Sequence, residues 1–411
     1  MPTDNLIIND PVYGFTGVPR GLLCRLIEHP LFQRLDRIRQ LGMAPFVYPG
    51  ARHTRKQHSI GAFHLMQQAF LTLGEKGCFI FDSEVEAAEA AILLHDIGHG
   101  PFSHVLENVL TPGMGHEAIS LKMMTAMNED LHGELNMAIS VFRGVYPKPF
   151  LHELISSQLD MDRLDYLCRD SFYTGVREGN IGAARIVRML DISQDGHLVV
   201  DAKGIYSIEN YLMARRLMYW QVYLHKTALA AEEVLRSVLK RAKLLASEGV
   251  ELFASPALHY FLYNDITPDD FDNEESGCLE KYAALDDSDL ICTIKVWQHE
   301  EDRVLSLLSQ CFINRRLFKV ESCPPQTASV RMAAIKEELI RKIGLTDEET
   351  DYFVTTKSVS NEMYSTTTEG IGLLMPDGEV KDVASLSNIV RNDACDPNDV
   401  KNYIFRYNLQ E

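Results

Sequence analysis

The chain has 411 residues, 46% of them hydrophobic, and a formal net charge of −18. Such a length and apolar content build a large globular core with a smaller companion. The acidic balance excludes an extended nucleic-acid or anionic-membrane surface, which needs many Lys and Arg on one face. Eight cysteines between Cys24 and Cys395 include no CxxC pair, no apolar run approaches a membrane span, and nothing at the start resembles a signal peptide. Reduced thiols, a soluble chain, no membrane partner and a cytoplasmic setting are therefore expected.

Along the chain, Asn9-Asp10-Pro11 and Gly14 mark a turn. Over residues 22–41 apolar side chains recur at helical steps with a break near Pro30, and Arg34, Asp36, Arg37 and Arg39 fall on the opposite face, read as solvated. A loop through Pro45, Pro49 and Gly50 leads to 52–59, which opens a helix carrying His58 beside Ile60, Phe63 and Met66.

Residues 83–116 are the centre of the sequence. Ser83 with Glu86 is a capping-box spacing, so a helix starts there and runs to His95-Asp96. On one helix His95 and His99 are four apart and face a common point, with Gly98, Gly100 and Pro101 ending the helix just beyond. His104 and His116 follow. Seven of the fourteen histidines lie between His53 and His116, a density that a metal or acid/base site explains most simply.

A helical pattern over 121–142 and a connector at Pro147 and Pro149 precede 158–166, where Asp162, Asp165, Tyr166 and Arg169 share one helical face. Residues 206–247 form a long helical region with Arg215, Arg216, Tyr219, Trp220, Tyr223, His225 and Lys226. The acidic run 264–289 reads as an exposed connection. Beyond it, 290–297 and 352–357 alternate as strands, while 301–310 and 328–343 are helical. The fold expected is mainly α, a helical catalytic domain over 1–250 with a smaller α+β C-terminal lobe over 251–411.

The chemistry follows from residue types. His58, His95, Asp96 and Asp162 offer imidazole and carboxylate donors to one divalent ion (Fe, Mn, Zn or Mg), leaving positions open to water. Such an ion polarises a phosphoryl oxygen and acidifies bound water. His99, His104 and His116 suit proton transfer, with Glu107 and Glu117 to orient them. A lone histidine on an apolar face is more often packing than chemistry. The ordered constellation is what carries the reading.

The blocks INDPVYG from Ile8, FQRLDRIRQLG from Phe32, VYPGARHTRKQHSIG from Val47, LLHDIGHGPFSH from Leu93, HE at His116, LDMDRLDYLCRD from Leu159 and RRLFK from Arg315 stand in an order that resembles the HD-domain phosphohydrolases. Within them, the chain is similar to the deoxynucleoside triphosphate triphosphohydrolases. The resemblance implies a helical HD fold with His58, His95, Asp96 and Asp162 as metal ligands. Attack of water or a metal-linked hydroxide on the α-phosphorus of a dNTP, with dGTP a candidate, would give a deoxynucleoside and triphosphate.

The resemblance further implies that His104 protonates the leaving oxygen, supported by His99, Glu107 and His116. Glu107 stands where the best-known member has Asp. Substrate contacts would fall on Gln40 and Leu41 near sugar and base, on Arg55, Arg163 and Arg215 at the phosphates, and on Tyr166, Asp170 and Tyr223 around the sugar. Tyr219 occupies a position that is His in that member. Arginine suits phosphate through charge-assisted, often bidentate bonds, and an aromatic wall against C2′ excludes a ribose hydroxyl. Members of the family are often homo-oligomers, dimers or tetramers, switched on by nucleotides. Two basic positions of the activating site are Leu6 and Asp36 here, although Arg315 and Lys319 remain, so guanine-nucleotide activation is expected to be lost or altered. Alternative readings are an HD phosphohydrolase acting on another nucleotide or phosphoester, and a nucleotide-binding regulatory protein with little turnover.

Overall fold

The computed structural model describes residues 5–361, 364, 370–393 and 400–409. A hairpin of β1 (Leu6–Asp10) and β2 (Gly14–Val18) leads into α1 (Leu22–Glu28) and α2 (Pro30–Gln33), the break falling at Pro30. Then come α3 (Arg55–Glu75), α4 (Asp82–Leu94), α5 (Ser103–Val109), α6 (His116–Asp130), α7 (Asn136–Phe142), α8 (Pro149–Glu153) and α9 (Met161–Thr174). Helices α10 (Ala183–Met189), α11 (Ile205–Met218) and α12 (Lys226–Ser247) complete the main helical body, with one π-helical turn over Tyr219–Tyr223 between the last two.

Beyond α13 (Pro256–Tyr263) lie α14 (Cys278–Ala284), α15 (Asp287–Trp297), α16 (Arg303–Ile313) and α17 (Pro325–Ile343), with short strands around them. The mainly helical architecture with small sheets matches the expectation. One four-stranded sheet joins early and late chain: β3 (Leu190–Ile192) and β4 (Leu198–Asp201) are extended by β5 (Gly372–Leu374), which runs parallel to β4, and β6 (Val380–Asp382). Among the described residues no helix is long and apolar enough to cross a membrane, and the seven described cysteines are all free.

Helix α3 packs on α4 and α9 because all three present buried small and apolar faces, including Ala62, Phe63 and Met66 on α3 and Ala87, Ala91 and Leu94 on α4. Gly61 sets the α3–α9 approach: a Cβ there would overlap Arg169 Nη2 and Asp165 Oδ1.

Three sequence expectations change. The capping pair of α4 is not Ser83 with Glu86; Glu84 Oε2 accepts the Phe81 N–H at 2.9 Å, and the helix begins at Asp82. Residues 290–297 are helical rather than a strand. Asp286 accepts the Ser288 N–H at 2.8 Å and Asp289 accepts the Asp286 N–H at 2.8 Å, a reciprocal cap that outweighs the local alternation. The run 264–289 is only partly an exposed connection, since Phe271, Cys278 and Tyr282 are buried.

Candidate active site

The central feature is a meeting of α3, the end of α4 and the first turn of α9. His58 Nε2 lies 3.3 Å from His95 Nε2, and Asp162 Oδ1 lies 3.0 Å from the first and 3.5 Å from the second. These three donor atoms sit within 4.8 Å of one another. Asp96 stands at their flank, Oδ1 3.5 Å from His95 Nε2 and Oδ2 3.8 Å from His58 Nε2.

The partners behind the rings decide what the donors present. His58 Nδ1 is 2.7 Å from Asp165 Oδ2, and His95 Nδ1 donates to the Ile92 carbonyl at 2.6 Å. With both Nδ1 atoms carrying the proton, two Nε2 lone pairs face each other and a carboxylate, an arrangement that suits a cation. The surrounding carboxylates favour positive charge at this point. Burial opposes a charged His58 ring, but hydrogen bonds to Asp162 and Asp165 outweigh it and the pKa rises to about 10, so a cation bound by Nε2 takes the place of a proton. Burial likewise opposes the Asp162 carboxylate, yet His58 and His95 hold its pKa below the usual range. The donor set therefore fits a divalent ion, with nitrogen and oxygen ligands of the kind that Fe, Mn, Zn and Mg accept in differing degree.

Asp165 is itself anchored. Arg169 donates to it through Nε and Nη2, each at 2.9 Å, and to Asp10 Oδ2 at 2.8 Å. Asp10 Oδ1 also caps the hairpin turn through the N–H groups of Val12 and Tyr13. The N-terminal hairpin thus orients a ring on α3 through two carboxylates and one guanidinium.

His95 and His99 do not share a helix face. Helix α4 stops at Leu94 because Ser120 Oγ donates to His95 O at 2.7 Å and accepts from Gly98 N–H at 2.9 Å, so the His99 N–H turns to Asp96 O at 3.1 Å. His99 instead stacks on His116 with ring centroids 3.8 Å apart, and these two gather with Glu107 into a second group. His116 Nδ1 is 3.4 Å from Glu107 Oε1. Burial and the Arg55 charge push His99 down to about 3; for His116, burial is outweighed by the Glu107 hydrogen bond and the pKa rises. Asp96 touches both groups, its Oδ1 being 3.3 Å from His99 Nε2, and burial of its carboxylate is outweighed chiefly by His99, His95 and Arg55, which hold its pKa well below the usual value. The His104 side chain lies outside the described ones.

The expected substrate contacts fall into separate groups, one of them a chain of hydrogen bonds. Arg55 Nη1 is 2.5 Å from Asp96 Oδ2. Tyr223 donates to Asp170 Oδ2 at 2.8 Å, Asp170 Oδ1 is 2.7 Å from His53 Nε2, and the His53 carbonyl accepts the Gln40 N–H at 3.0 Å. Tyr223 packs edge-on to Tyr166 and Tyr219, and Arg215 lies over the Tyr219 ring at 5.8 Å. Leu41 is half-buried on the same loop as Gln40. Arg163 is tied to the Ser157 carbonyl at 2.6 Å and Asp160 Oδ2 at 3.1 Å. Gln40 Oε1, Arg55 Nε and Arg215 Nε and Nη1 are buried with no hydrogen-bond partner, which is costly unless something polar binds there.

Sequence reasoning missed Asp10, His53 and Arg34 as parts of this site. Arg34, expected on a solvated face, is 1% exposed and donates to Ile97 O and His99 O at 2.8 Å and to Ala283 O at 2.9 Å. Burial lowers its pKa to about 10, so it stays charged at neutral pH. The spacing of an amphipathic helix gave no sign of this, because the chain tightens into a 3-10 turn at Arg34–Arg37. Asp165 was placed on the right face but given no role.

Comparison with known proteins agrees with the geometry. An HD domain matches residues 55–170 and an HD associated region matches 181–252. The chain is 34% identical over 405 residues to the YwfO protein of Bacillus subtilis, covering 95% of this chain and 89% of that protein. It is 27% identical over 297 residues to the deoxynucleoside triphosphate triphosphohydrolase SAMHD1 of Homo sapiens, covering 62% of this chain and 46% of that one. The crystal structure of a phosphohydrolase from Bacteroides thetaiotaomicron superposes with a TM-score of 0.94 at 54% identity, covering 98% of this chain and 100% of the other.

Proposed function

Because this chain belongs to the HD-domain phosphohydrolase family, we propose that it hydrolyses deoxynucleoside triphosphates, dGTP among the candidates, to a deoxynucleoside and triphosphate. The observation that carries the reading is the convergence of His58, His95 and Asp162, with both imidazole Nε2 atoms aimed inward by the acceptors behind them. These three, with Asp96 beside them, would hold a divalent ion. When bound, such an ion supplies a Lewis acid for a phosphoryl oxygen and lowers the pKa of water.

The rest of the chemistry belongs to side chains. Arg55, Arg163 and Arg215 would take phosphate oxygens, and the unpartnered nitrogens of Arg55 and Arg215 are what such oxygens satisfy. Tyr166, Tyr219 and Tyr223 would line the sugar, with Asp170 and His53 fixing the Tyr223 hydroxyl; Gln40 and Leu41 would reach the base side. His99, Glu107 and His116 would hold and pass protons, His104 delivering one to the departing oxygen. By the same family resemblance, the working form would be a homo-oligomer in the cytoplasm.

Incubating metal-loaded protein with each dNTP and resolving the products tests the proposal. Inorganic triphosphate supports it. Orthophosphate or a nucleoside monophosphate points to a different phosphoester reaction, and tight binding without products points to a regulatory nucleotide sensor.

A further inference from the structure

Every backbone carbonyl from His95 to His99 is engaged, and three of the five are held from outside the matched HD segment. The His95 carbonyl accepts from Ser120 Oγ and that of Asp96 from the His99 N–H. Those of Ile97 and His99 both accept from Arg34 Nη1 at 2.8 Å, and that of Gly98 accepts from the Tyr282 hydroxyl at 3.0 Å. The remaining guanidinium nitrogens of Arg34 reach the Ala283, Tyr282 and Leu285 carbonyls, at 2.9, 3.4 and 3.2 Å, where α14 ends. One planar cation thus joins two sets of carbonyls. Lysine, with a single nitrogen, has no geometry that reaches both.

Close approach is built in on the other side as well. A Cβ at Gly100 would sit 2.7 Å from the Tyr282 hydroxyl oxygen, and one at Gly98 would overlap the backbone of His116 and Ser120. Arg34 is 1% exposed and Tyr282 fully buried, and the guanidinium nitrogens of the one and the hydroxyl of the other are spent on backbone carbonyls. What they hold is the turn between the metal-binding pair His95-Asp96 and His99.

We propose that Arg34 and Tyr282 are positioning residues, a clamp through which the segment 282–285 keeps His99 in register with the metal-binding trio. The proposal rests on the hydrolase reading above, in which His99 serves proton transfer. Misplacing a reacting group by about 1 Å can cost on the order of 10²-fold in rate without touching substrate affinity.

The test compares wild type, Tyr282→Phe and Arg34→Lys as metal-loaded full chains, measuring kcat and KM on the nucleotide that wild type turns over, bound metal, and hydrogen exchange of the amides of residues 97–100. Tyr282→Phe removes one hydroxyl and keeps the ring, so it remains informative if Arg34→Lys fails to fold. The clamp predicts unchanged metal content, little change in KM, a kcat lower by about 10- to 10²-fold, and faster exchange at 97–100 but not in α12. Wild-type kcat with unchanged exchange overturns it. If wild type turns over no nucleotide, the functional reading fails and the exchange measurement alone decides the clamp, faster exchange supporting it and unchanged exchange overturning it.

Discussion

Asp165 Oδ2 lies 2.7 Å from His58 Nδ1, on the far side of the ring from His95 and Asp162, and both groups are fully buried. The carboxylate is no ligand itself. It sets which nitrogen of His58 carries the proton, and so which one is free to bind a metal. Asp165→Asn keeps the shape but weakens that control, and metal affinity is expected to fall by about 10- to 10²-fold. Titration of the chelated protein with Mn²⁺ or Zn²⁺ by calorimetry measures it; an unchanged dissociation constant removes Asp165 from the metal centre.

Asp162→Ala should abolish turnover and lower bound metal, since it deletes the oxygen donor of the trio. Chelation of wild type should lower its melting temperature, because an ion that binds only the folded state stabilises it by mass action. The variant should show a much smaller chelator response. Full activity in the variant rejects the assignment.

Gly61→Ala places a methyl group against Arg169 and Asp165 in the tightest part of the α3–α9 contact. Overpacking of this kind costs about 1–3 kcal/mol. Urea denaturation should show that loss together with weaker metal binding, as the shift reaches His58 through Asp165. A variant as stable as wild type contradicts the packing described.

Glu89, 6% exposed on α4, has its pKa raised from 4.5 to about 7, first by burial and then by Glu86. The folded state therefore binds this proton more tightly than the unfolded one. Its contribution to stability is fully present below about pH 4.5 and is lost as pH rises through about 7. Glu89→Gln should be more stable than wild type at pH 8 by about 3 kcal/mol, with the gap closing toward pH 5. Urea midpoints at both pH values measure it, and a gap that widens at low pH gives the sign the lie.

Asp36 is exposed, at a position where the family resemblance leads one to expect a base. GTP added to purified protein is expected to leave the rate of dNTP hydrolysis near its basal value. A large rate increase overturns that expectation.

The helices that hold the site were legible because their signals are local. Gln57 caps α3 through the Thr54 N–H at 2.9 Å, and Asp160 caps α9 through the Arg163 N–H at 2.7 Å. Neither cap entered the sequence reading, which rested on the helical spacing of the side chains. The convergence of His58, His95 and Asp162 was legible as a constellation, although the helix expected to align His95 with His99 ends first, broken by a serine 25 residues away from the carbonyl it captures. Arg34 and Asp10 were illegible for the same reason. Their roles depend on carbonyls and side chains more than 60 and 150 positions distant, which no periodicity encodes. Alternation misled at 290–297 because a helical cap of consecutive acidic residues preceded it and was read only as charge.

The pairing of Val199 with Gly372 and Val200 with Leu373 gives the molecule a history as well as a shape. While a ribosome is still spelling out the intervening stretch, β4 has emerged and its outer edge has nothing to pair with. At typical synthesis speeds that interval lasts roughly 10–30 s, long enough for a sticky edge to find a neighbour on the same messenger. Cells overproducing this protein would therefore gain more from fewer ribosomes on each messenger, or from holdase chaperones, than from faster initiation.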